Sequence, residues 1–164
     1  MELRRSLDFR KIVAFLYSLC FAIYLIIGFQ PAAEATNYEV SSELKIPAIS
    51  LHTDVTTLKL HNRKLETPDT IVGSFTQNEN KTLLIGHAST VFEKLKNISL
   101  GDEIIYDFET YIVSDIKVLV KKDVDMDDIL APAEIQTIII MTCAGDDLGN
   151  GDSTHRLIVT AQAL

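Results

Sequence analysis

The stretch from Thr137 to Val159 constrains the fold most, because it joins two strand-like runs through a loop rich in Gly, Asp and Asn. The first run is rich in β-branched residues and ends at Cys143, and the second opens at Arg156. Apolar runs bounded in this way are typical of β-strands joined by a loop. If the two strands are antiparallel, the end of the first lies beside the start of the second. We therefore expect Cys143 and Arg156 to face each other at one rim of a sheet.

Short strand-like runs recur along the rest of the chain, and long helical periodicity is confined to an N-terminal segment. A short helix is expected from Ser89 or Thr90 to Ile98, where the apolar spacing suits one helical face. This pattern predicts an all-β fold, a barrel or sandwich with one or two short helices. The expected strands are Leu44–Leu51, interrupted at Pro47, then Val55–Leu60 as a strand or a turn and strand, Thr82–Ile85, Glu103–Phe108 and Tyr111–Val120, with Glu109-Thr110 as a hairpin tip.

The N-terminal segment has the composition of a membrane anchor. Residues 1–11 carry four basic side chains, and residues 12–29 carry no charge. An apolar run of this length can span a bilayer, and basic residues before it predict a cytoplasmic N-terminus. We therefore expect an uncleaved single-pass anchor at 12–29, a linker at 30–42 and a folded extracellular domain at 43–164. A cleaved signal peptide is the alternative, because small residues follow the apolar run.

Charge and cysteine content narrow the possible functions. The formal net charge is −8, which argues against a nucleic-acid partner, since that binding depends on cationic side chains that neutralise phosphates. Outside the predicted anchor, Cys143 is the single cysteine, so it has no partner for an intrachain disulfide. A leftover thiol in an exported protein indicates either a reactive group or an inert buried side chain. Both possibilities stay open on the count alone.

Three residues that can carry chemistry are expected to meet at one rim of the sheet. His87 and Cys143 each follow a strand-like run, and Arg156 starts another. The three meet if the first two strands are parallel and the third is antiparallel to them. An imidazolium stabilises a nearby thiolate and can later protonate a leaving amine. A guanidinium keeps its charge and can stabilise an oxyanion. The set therefore indicates a cysteine nucleophile.

Several motifs surround these residues in a fixed order along the chain. They are LKIPAISL (Leu44–Leu51), GHAST (Gly86–Thr90) after TLLI, GDEI (Gly101–Ile104), IIMTC (Ile139–Cys143) at a strand end, and Arg156 in RLIVTA thirteen residues on. Together they resemble the sortase family, and the resemblance covers roughly Leu44 to Ala163. The sequence departs from the family signature at Ile139, where the family has threonine, and we expect this change to alter packing more than chemistry.

The resemblance implies a closed eight-stranded β-barrel and a membrane-anchored cysteine transpeptidase without a cofactor. It implies that Cys143 attacks a carbonyl in a C-terminal sorting motif of an exported protein, and that His87 protonates the departing amine. An amine of a cell-wall peptide or a pilin lysine then resolves the thioester. Arg156 is expected to position the substrate and stabilise the oxyanion. Thr142 is expected to help orient the substrate, and the backbone N–H of Ala144 to add an oxyanion donor.

Two other functions remain open from the sequence. One is a membrane-tethered, non-catalytic binding domain, and the other is a thiol peptidase that uses water as the acceptor. His155 is a competing base, although strand alternation points it away from the face of Arg156. The sequence does not specify the sorting motif, the acceptor amine or the sortase subclass.

Metal sites are weaker alternatives. Zinc accepts ligands such as His87, Cys143 and His155, but the close paired spacing typical of zinc sites is absent from the sequence. The acidic segments Asp123–Asp128 and Asp146–Asp152 offer oxygen ligands for calcium, but neither has the EF-hand spacing. We therefore expect no metal site and solvated acidic loops.

Overall fold

A computed structural model describes residues 39–62, 64–149 and 152–164. The strands in this part are β1 (Val40–Ile46), β2 (Leu51–Thr57), β3 (Val72–Asn78), β4 (Lys81–Ile85), β5 (Glu103–Tyr106), β6 (Glu109–Val120), β7 (Thr137–Asp147) and β8 (Ser153–Ala163). They form a closed barrel in the order β1-β2-β3-β4-β7-β8-β6-β5, with β5 pairing back to β1. The predicted eight-stranded, all-β barrel with short helical segments is thus confirmed. The helical segments are α1 (Met126–Leu130) and 3-10 turns at Pro47–Ile49, Leu95–Asn97 and Lys121–Asp123.

The predicted N-terminal segment 1–11 and anchor 12–29 lie outside the described residues. Within the described ranges, no helix is long and apolar enough to cross a membrane. The predicted linker 30–42 enters the described part only at its end, where β1 already begins at Val40. Val40 and Ser41 are exposed, so no burial pattern in the sequence marks them as strand. Pairing with β2 holds this segment, and the Ser41 hydroxyl donates to the carbonyl of Val55 at 3.1 Å.

One parallel and one antiparallel pairing bring the candidate residues to the same rim. β4 runs parallel to β7, with Ile85 beside Met141. β8 runs antiparallel to β7, with Cys143 directly opposite Arg156. His87 and Cys143 each follow the pair between β4 and β7 by two residues, so the two residues come to the same end of the sheet. These are the strand directions that the sequence predicts.

Strand β7 is buried on both faces, which explains its continuous apolar run. Ile138 and Ile140 pack in the main core inside the barrel. Ile139 points to the opposite face and packs in a second cluster with Leu83 of β4 and Ile129 of α1. Ile139 is only 5% exposed. Ile139, where the sequence departs from the motif, is therefore buried between the sheet and α1, and the expectation that the change affects packing more than chemistry stays a prediction.

The motif LKIPAISL forms two strands where one interrupted strand was predicted. β1 ends at Ile46, and a 3-10 turn over Pro47–Ile49 leads to Ser50, whose φ is 53°. Proline has no N–H to donate to a sheet, and the left-handed residue reverses the chain. β1 and β2 therefore pair antiparallel around this turn.

Two further local predictions are wrong. The hairpin tip is Asp107-Phe108, not Glu109-Thr110, because Tyr106 pairs with Glu109. The helix expected from Ser89 or Thr90 to Ile98 is a series of turns with one 3-10 turn at Leu95–Asn97. The Thr90 hydroxyl donates to the backbone carbonyl of Asp69 at 2.7 Å, so it fastens a neighbouring loop instead of capping a helix.

Candidate active site

A cavity of about 710 Å³ opens where β4 and β7 reach their common rim. Its volume lies within the range of roughly 300–1,000 Å³ common for ligand pockets. Its polar lining residues include His87, Thr142, Cys143, Asp152 and Arg156. Its apolar lining residues, called here the apolar wall, include Leu60, Leu65, Phe75, Met126, Leu130 and Met141. The cavity therefore combines a thiol and charged groups with a surface suited to apolar side chains.

Cys143 lies on a strand that continues past it. The sequence suggested that the strand ends at Cys143, but β7 extends to Asp147, with a register shift between Ala144 and Asp147. Gly145 has a φ of 77°, and a Cβ there would lie 2.5 Å from the ring Nδ1 of His155. This position therefore requires glycine. The Cys143 side chain is half-buried and carries a free thiol.

Thr142 links the strand of Cys143 to the residue before His87. Its hydroxyl donates to the carbonyl of Gly86 at 2.8 Å, and Thr142 is buried. A Cβ at Gly86 would lie 2.6 Å from Cγ1 of Val91, so a side chain at that position would displace the following turn. The bond fixes the backbone that carries His87 relative to β7. The expected role of Thr142 in orienting a substrate stays a prediction.

His87 is half-buried on the cavity wall and has an acidic neighbour. Its Nε2 lies 3.9 Å from Oδ1 of Asp69, whose side chain is 96% exposed. A contact this long and this exposed contributes little to stability. The backbone carbonyl of His87 accepts a hydrogen bond from the N–H of Phe92 at 3.0 Å, which holds the turn after β4.

Arg156 is fastened by the loop between β7 and β8. Its Nη1 donates to the carbonyls of Ser153 at 3.0 Å and His155 at 2.8 Å. Its Nη2 donates to Oδ1 of Asp152 at 2.6 Å. Lys121 forms a second ion pair with the same carboxylate, through Oδ2. Hydrogen bonds from Lys121 and Arg156, and from the N–H of Ser153, hold the pKa of Asp152 well below its usual range.

His155, the alternative base and a possible metal ligand from the sequence, contacts residues other than Cys143 and His87 in the hydrogen bonds and strand pairs of the described residues. His155 pairs with Ala144 across the strands, and its Nδ1 shares a 2.8 Å hydrogen bond with the Thr154 hydroxyl. Ala144 packs against the main core, and the role of its backbone N–H as an oxyanion donor stays a prediction. Within the part of the chain that the structure describes, no group of three His, Cys, Asp or Glu residues is placed to hold a metal ion.

Comparison with protein families identifies the family of the chain. A family model for the sortase domain matches residues 44–164. The chain belongs to the sortase family. The match includes the segments that carry Cys143, His87 and Arg156. No curated protein sequence matches this sortase.

Solved sortase structures share this barrel. Sortase A from Corynebacterium diphtheriae is 22% identical with a TM-score of 0.59, over 79% of this chain and 63% of that chain. Sortase C-1 from Actinomyces oris is 22% identical with a TM-score of 0.59, over 80% and 76% of the two chains. A Clostridium perfringens sortase D5, described as a transpeptidase, is 21% identical with a TM-score of 0.58, over 77% and 79%. Identities this low show a common fold, and the three class letters do not select one subclass for this sortase.

Asp152 and the apolar wall were not predicted from the sequence. Asp152 belongs to an acidic loop, and a spacing of four residues from Arg156 does not predict contact in an extended chain. The wall combines Leu60 and Leu65, from the loop between β2 and β3, with Met126 and Leu130 of α1. These segments are distant in sequence, and only the closed barrel brings them together.

Proposed function

We propose that this sortase is a cysteine transpeptidase that cleaves a C-terminal sorting motif of exported proteins. In this proposal the acyl group passes through a thioester on Cys143 to an amine of the cell wall or of a pilin. One observation carries the proposal: Cys143 lies directly opposite Arg156 and shares one cavity with His87. This is the set of groups that acyl transfer through a thiol requires.

In the first half of the reaction, Cys143 transfers its thiol proton to His87, and the thiolate attacks the carbonyl carbon of the scissile peptide bond. Negative charge collects on the carbonyl oxygen, where the guanidinium of Arg156 stabilises it. The C–N bond then breaks, and His87 protonates the leaving amine. The products are a thioester on Cys143 and a released C-terminal fragment.

In the second half, an acceptor amine attacks the thioester. His87 takes a proton from the amine, and Cys143 leaves as a thiolate, which regains a proton from His87. One peptide bond has broken and one amide bond has formed, without a redox change and without a cofactor. The apolar wall of the cavity suits the apolar side chains of a sorting motif. Thr142 and the N–H of Ala144 complete the proposed substrate-binding set.

The proposed setting is the cell membrane, with residues 12–29 as a single-pass anchor and 1–11 in the cytoplasm. The catalytic domain, 43–164, then lies outside, joined by the linker at 30–42. This arrangement rests on the composition of the segment and supports access to exported substrates and cell-wall amines.

The test uses the full-length protein with a panel of sorting-type pentapeptides, with and without an amine acceptor. Mass spectrometry follows the acyl adduct on Cys143 and the amine-joined product. We expect an adduct in the wild type, no adduct in Cys143→Ala, and a product that depends on the amine.

The same experiment separates the alternatives. An adduct that only hydrolyses, whatever amine is added, favours a thiol peptidase that uses water. No adduct across the panel, with the folded state confirmed by circular dichroism, favours a non-catalytic binding domain.

A further inference from the structure

The guanidinium of Arg156 uses some of its N–H donors in hydrogen bonds to neighbouring residues and has others that are not used in this way. A guanidinium has five N–H donors. Three of them donate to the carbonyls of Ser153 and His155 and to the carboxylate of Asp152. The Nε–H and one Nη2–H of Arg156 have no acceptor among the described residues. The side chain of Arg156 is 15% exposed and lines the cavity that contains Cys143.

Among these three acceptors of Arg156, the Asp152 carboxylate is the one that carries a charge. It is bound to Arg156 through Oδ1 and to Lys121 through Oδ2, and its Oδ1 also accepts the N–H of Ser153 at 2.9 Å. These contacts fix the carboxylate itself, so it can fix the guanidinium in turn. A long side chain that is ordered before the substrate arrives loses less conformational freedom on binding.

Asp152 can affect the reaction either through its charge or by fixing the geometry of the guanidinium. The net charge of its cluster lets an amide variant distinguish the two roles. The cluster of Asp152, Arg156 and Lys121 carries a net charge of +1. Replacing the carboxylate by an amide raises this to +2. If the field at the developing oxyanion alone governed the rate, the amide variant would be faster. If the geometry of the guanidinium governs the rate, the amide variant is slower.

We propose that Asp152 is a positioning residue that holds the guanidinium of Arg156 beside Cys143, with Lys121 as the counter-charge that fixes the carboxylate. This inference rests on the proposed function. It assigns to the loop between β7 and β8 a direct part in ordering the oxyanion donor.

The first test measures how strongly Asp152 restricts the guanidinium of Arg156, and it does not depend on activity. Phenylglyoxal modifies arginine, and mass spectrometry follows the modification at Arg156 in the full-length protein. We expect Asp152→Asn to react at least threefold faster at Arg156 than the wild type does. Asp146→Asn is the matched control, because Asp146 is an exposed carboxylate at the end of β7, close in sequence to the loop that carries Asp152. Equal modification rates in wild type and Asp152→Asn overturn the proposal, whether or not the wild type turns over peptides.

The second test measures turnover with a peptide that the wild type cleaves. We expect Asp152→Asn to lower kcat at least tenfold with KM changed less than threefold, and Asp152→Glu to lie between it and the wild type. In an Arg156→Lys background, Asp152→Asn should change kcat by less than twofold, since there is no guanidinium to position. A kcat equal to or above that of the wild type overturns the inference. So does an undiminished effect in the Arg156→Lys background. A wild type without adduct or product contradicts the proposed function, while the phenylglyoxal result still decides the holding of Arg156.

Discussion

Thr142 shows how one hydroxyl can tie together parts of a site that are far apart in sequence. Its bond to the carbonyl of Gly86 spans 56 residues of chain. The sequence motif predicts a role for Thr142 in the site. The partner could not be predicted, because it depends on the register between β4 and β7 and on the turn at Gly86.

Replacing Thr142 by valine tests this bond. The change keeps the shape of the side chain and leaves the buried carbonyl of Gly86 without its donor, so we expect a loss of about 1–3 kcal/mol in unfolding free energy. Urea denaturation measures the loss. Thr142→Ser keeps the hydroxyl and is expected to retain most of the stability. Equal stability of Thr142→Val and the wild type would show that the bond is not formed in solution.

The Asp152 carboxylate makes stability depend on pH. Its pKa in the native protein is lowered by hydrogen bonds from Lys121 and Arg156, whereas an unfolded aspartate titrates at about 3.9. The unfolded chain therefore binds more protons in acid. The stabilising contribution is present above about pH 4 and is lost as the pH falls towards the native pKa.

Urea denaturation of wild type and Asp152→Asn between pH 2 and pH 8 checks this dependence. We expect the difference in unfolding free energy to be constant from about pH 5 to pH 8 and to shrink below about pH 4. Asp146→Asn supplies the control for the same change of charge at the end of β7. A difference that grows in acid would contradict the assigned sign.

At the scale of strands and turns, the sequence identifies most strands but places their ends poorly. The runs at Thr82–Ile85 and Thr137–Cys143 are apolar and β-branched, and both are strands. The hairpin tip was misplaced because Asp107-Phe108 lacks the glycine that commonly marks a two-residue loop. A large aromatic residue there reads as strand.

The backbone of Phe108 has a left-handed conformation that is unfavourable for a residue with a Cβ and accessible to glycine. Its φ is 67° and its side chain is 95% exposed. A non-glycine residue in this region loses about 1–2 kcal/mol to contact between Cβ and the backbone. We expect Phe108→Gly to raise the unfolding free energy by about 1 kcal/mol after the greater chain entropy of glycine is subtracted.

Thermal and urea denaturation measure this gain. Phe108→Ala is the matched control, since it removes the ring and keeps the Cβ, and it should bring no such gain. A lower stability of Phe108→Gly than of Phe108→Ala would mean that the turn relaxes out of the left-handed conformation at no cost.

At the scale of the whole barrel, closure depends on a short parallel seam between β2 and β3. It comprises three residue pairs, with Thr56 beside Gly73 at its centre. The N–H of Leu58 donates to the carbonyl of Ser74 at 2.7 Å and extends the seam. The side chain of Leu58 covers Gly73, where a Cβ would clash with its Cδ1. The loop that follows Leu58 supplies part of the apolar wall of the cavity.

A methyl group at Gly73 should therefore open this seam. We expect Gly73→Ala to lower the unfolding free energy by about 1–3 kcal/mol through overpacking against Leu58. In a Leu58→Ala background, the same change should cost less, because the space is vacant. Urea denaturation of the four variants forms the cycle, and additive effects would contradict the proposed contact. Amide hydrogen exchange is expected to quicken first in β2 and β3.

The barrel as a whole was predictable because the motifs follow one another in the order of the sortase family. The predicted anchor at 12–29 lies outside the described residues and stays a prediction. What the sequence could not specify is how the acidic loop contacts Arg156, or how α1 and the loop after β2 close the cavity. Both depend on contacts between segments that only the closed barrel brings together.

Strand β8 lies between β7 and β6 in the barrel, although it is synthesised after both. This order determines when Cys143 acquires Arg156 as a neighbour during synthesis. A growing chain delivers Cys143 before it delivers Arg156, and the barrel cannot close until β8 enters the gap between two strands that already exist. Alkylation of Cys143 in chains that stop after β7, compared with the full chain, would measure this delay. The proposed activity is therefore expected to be absent from the growing chain until β8 has been synthesised and has entered the barrel.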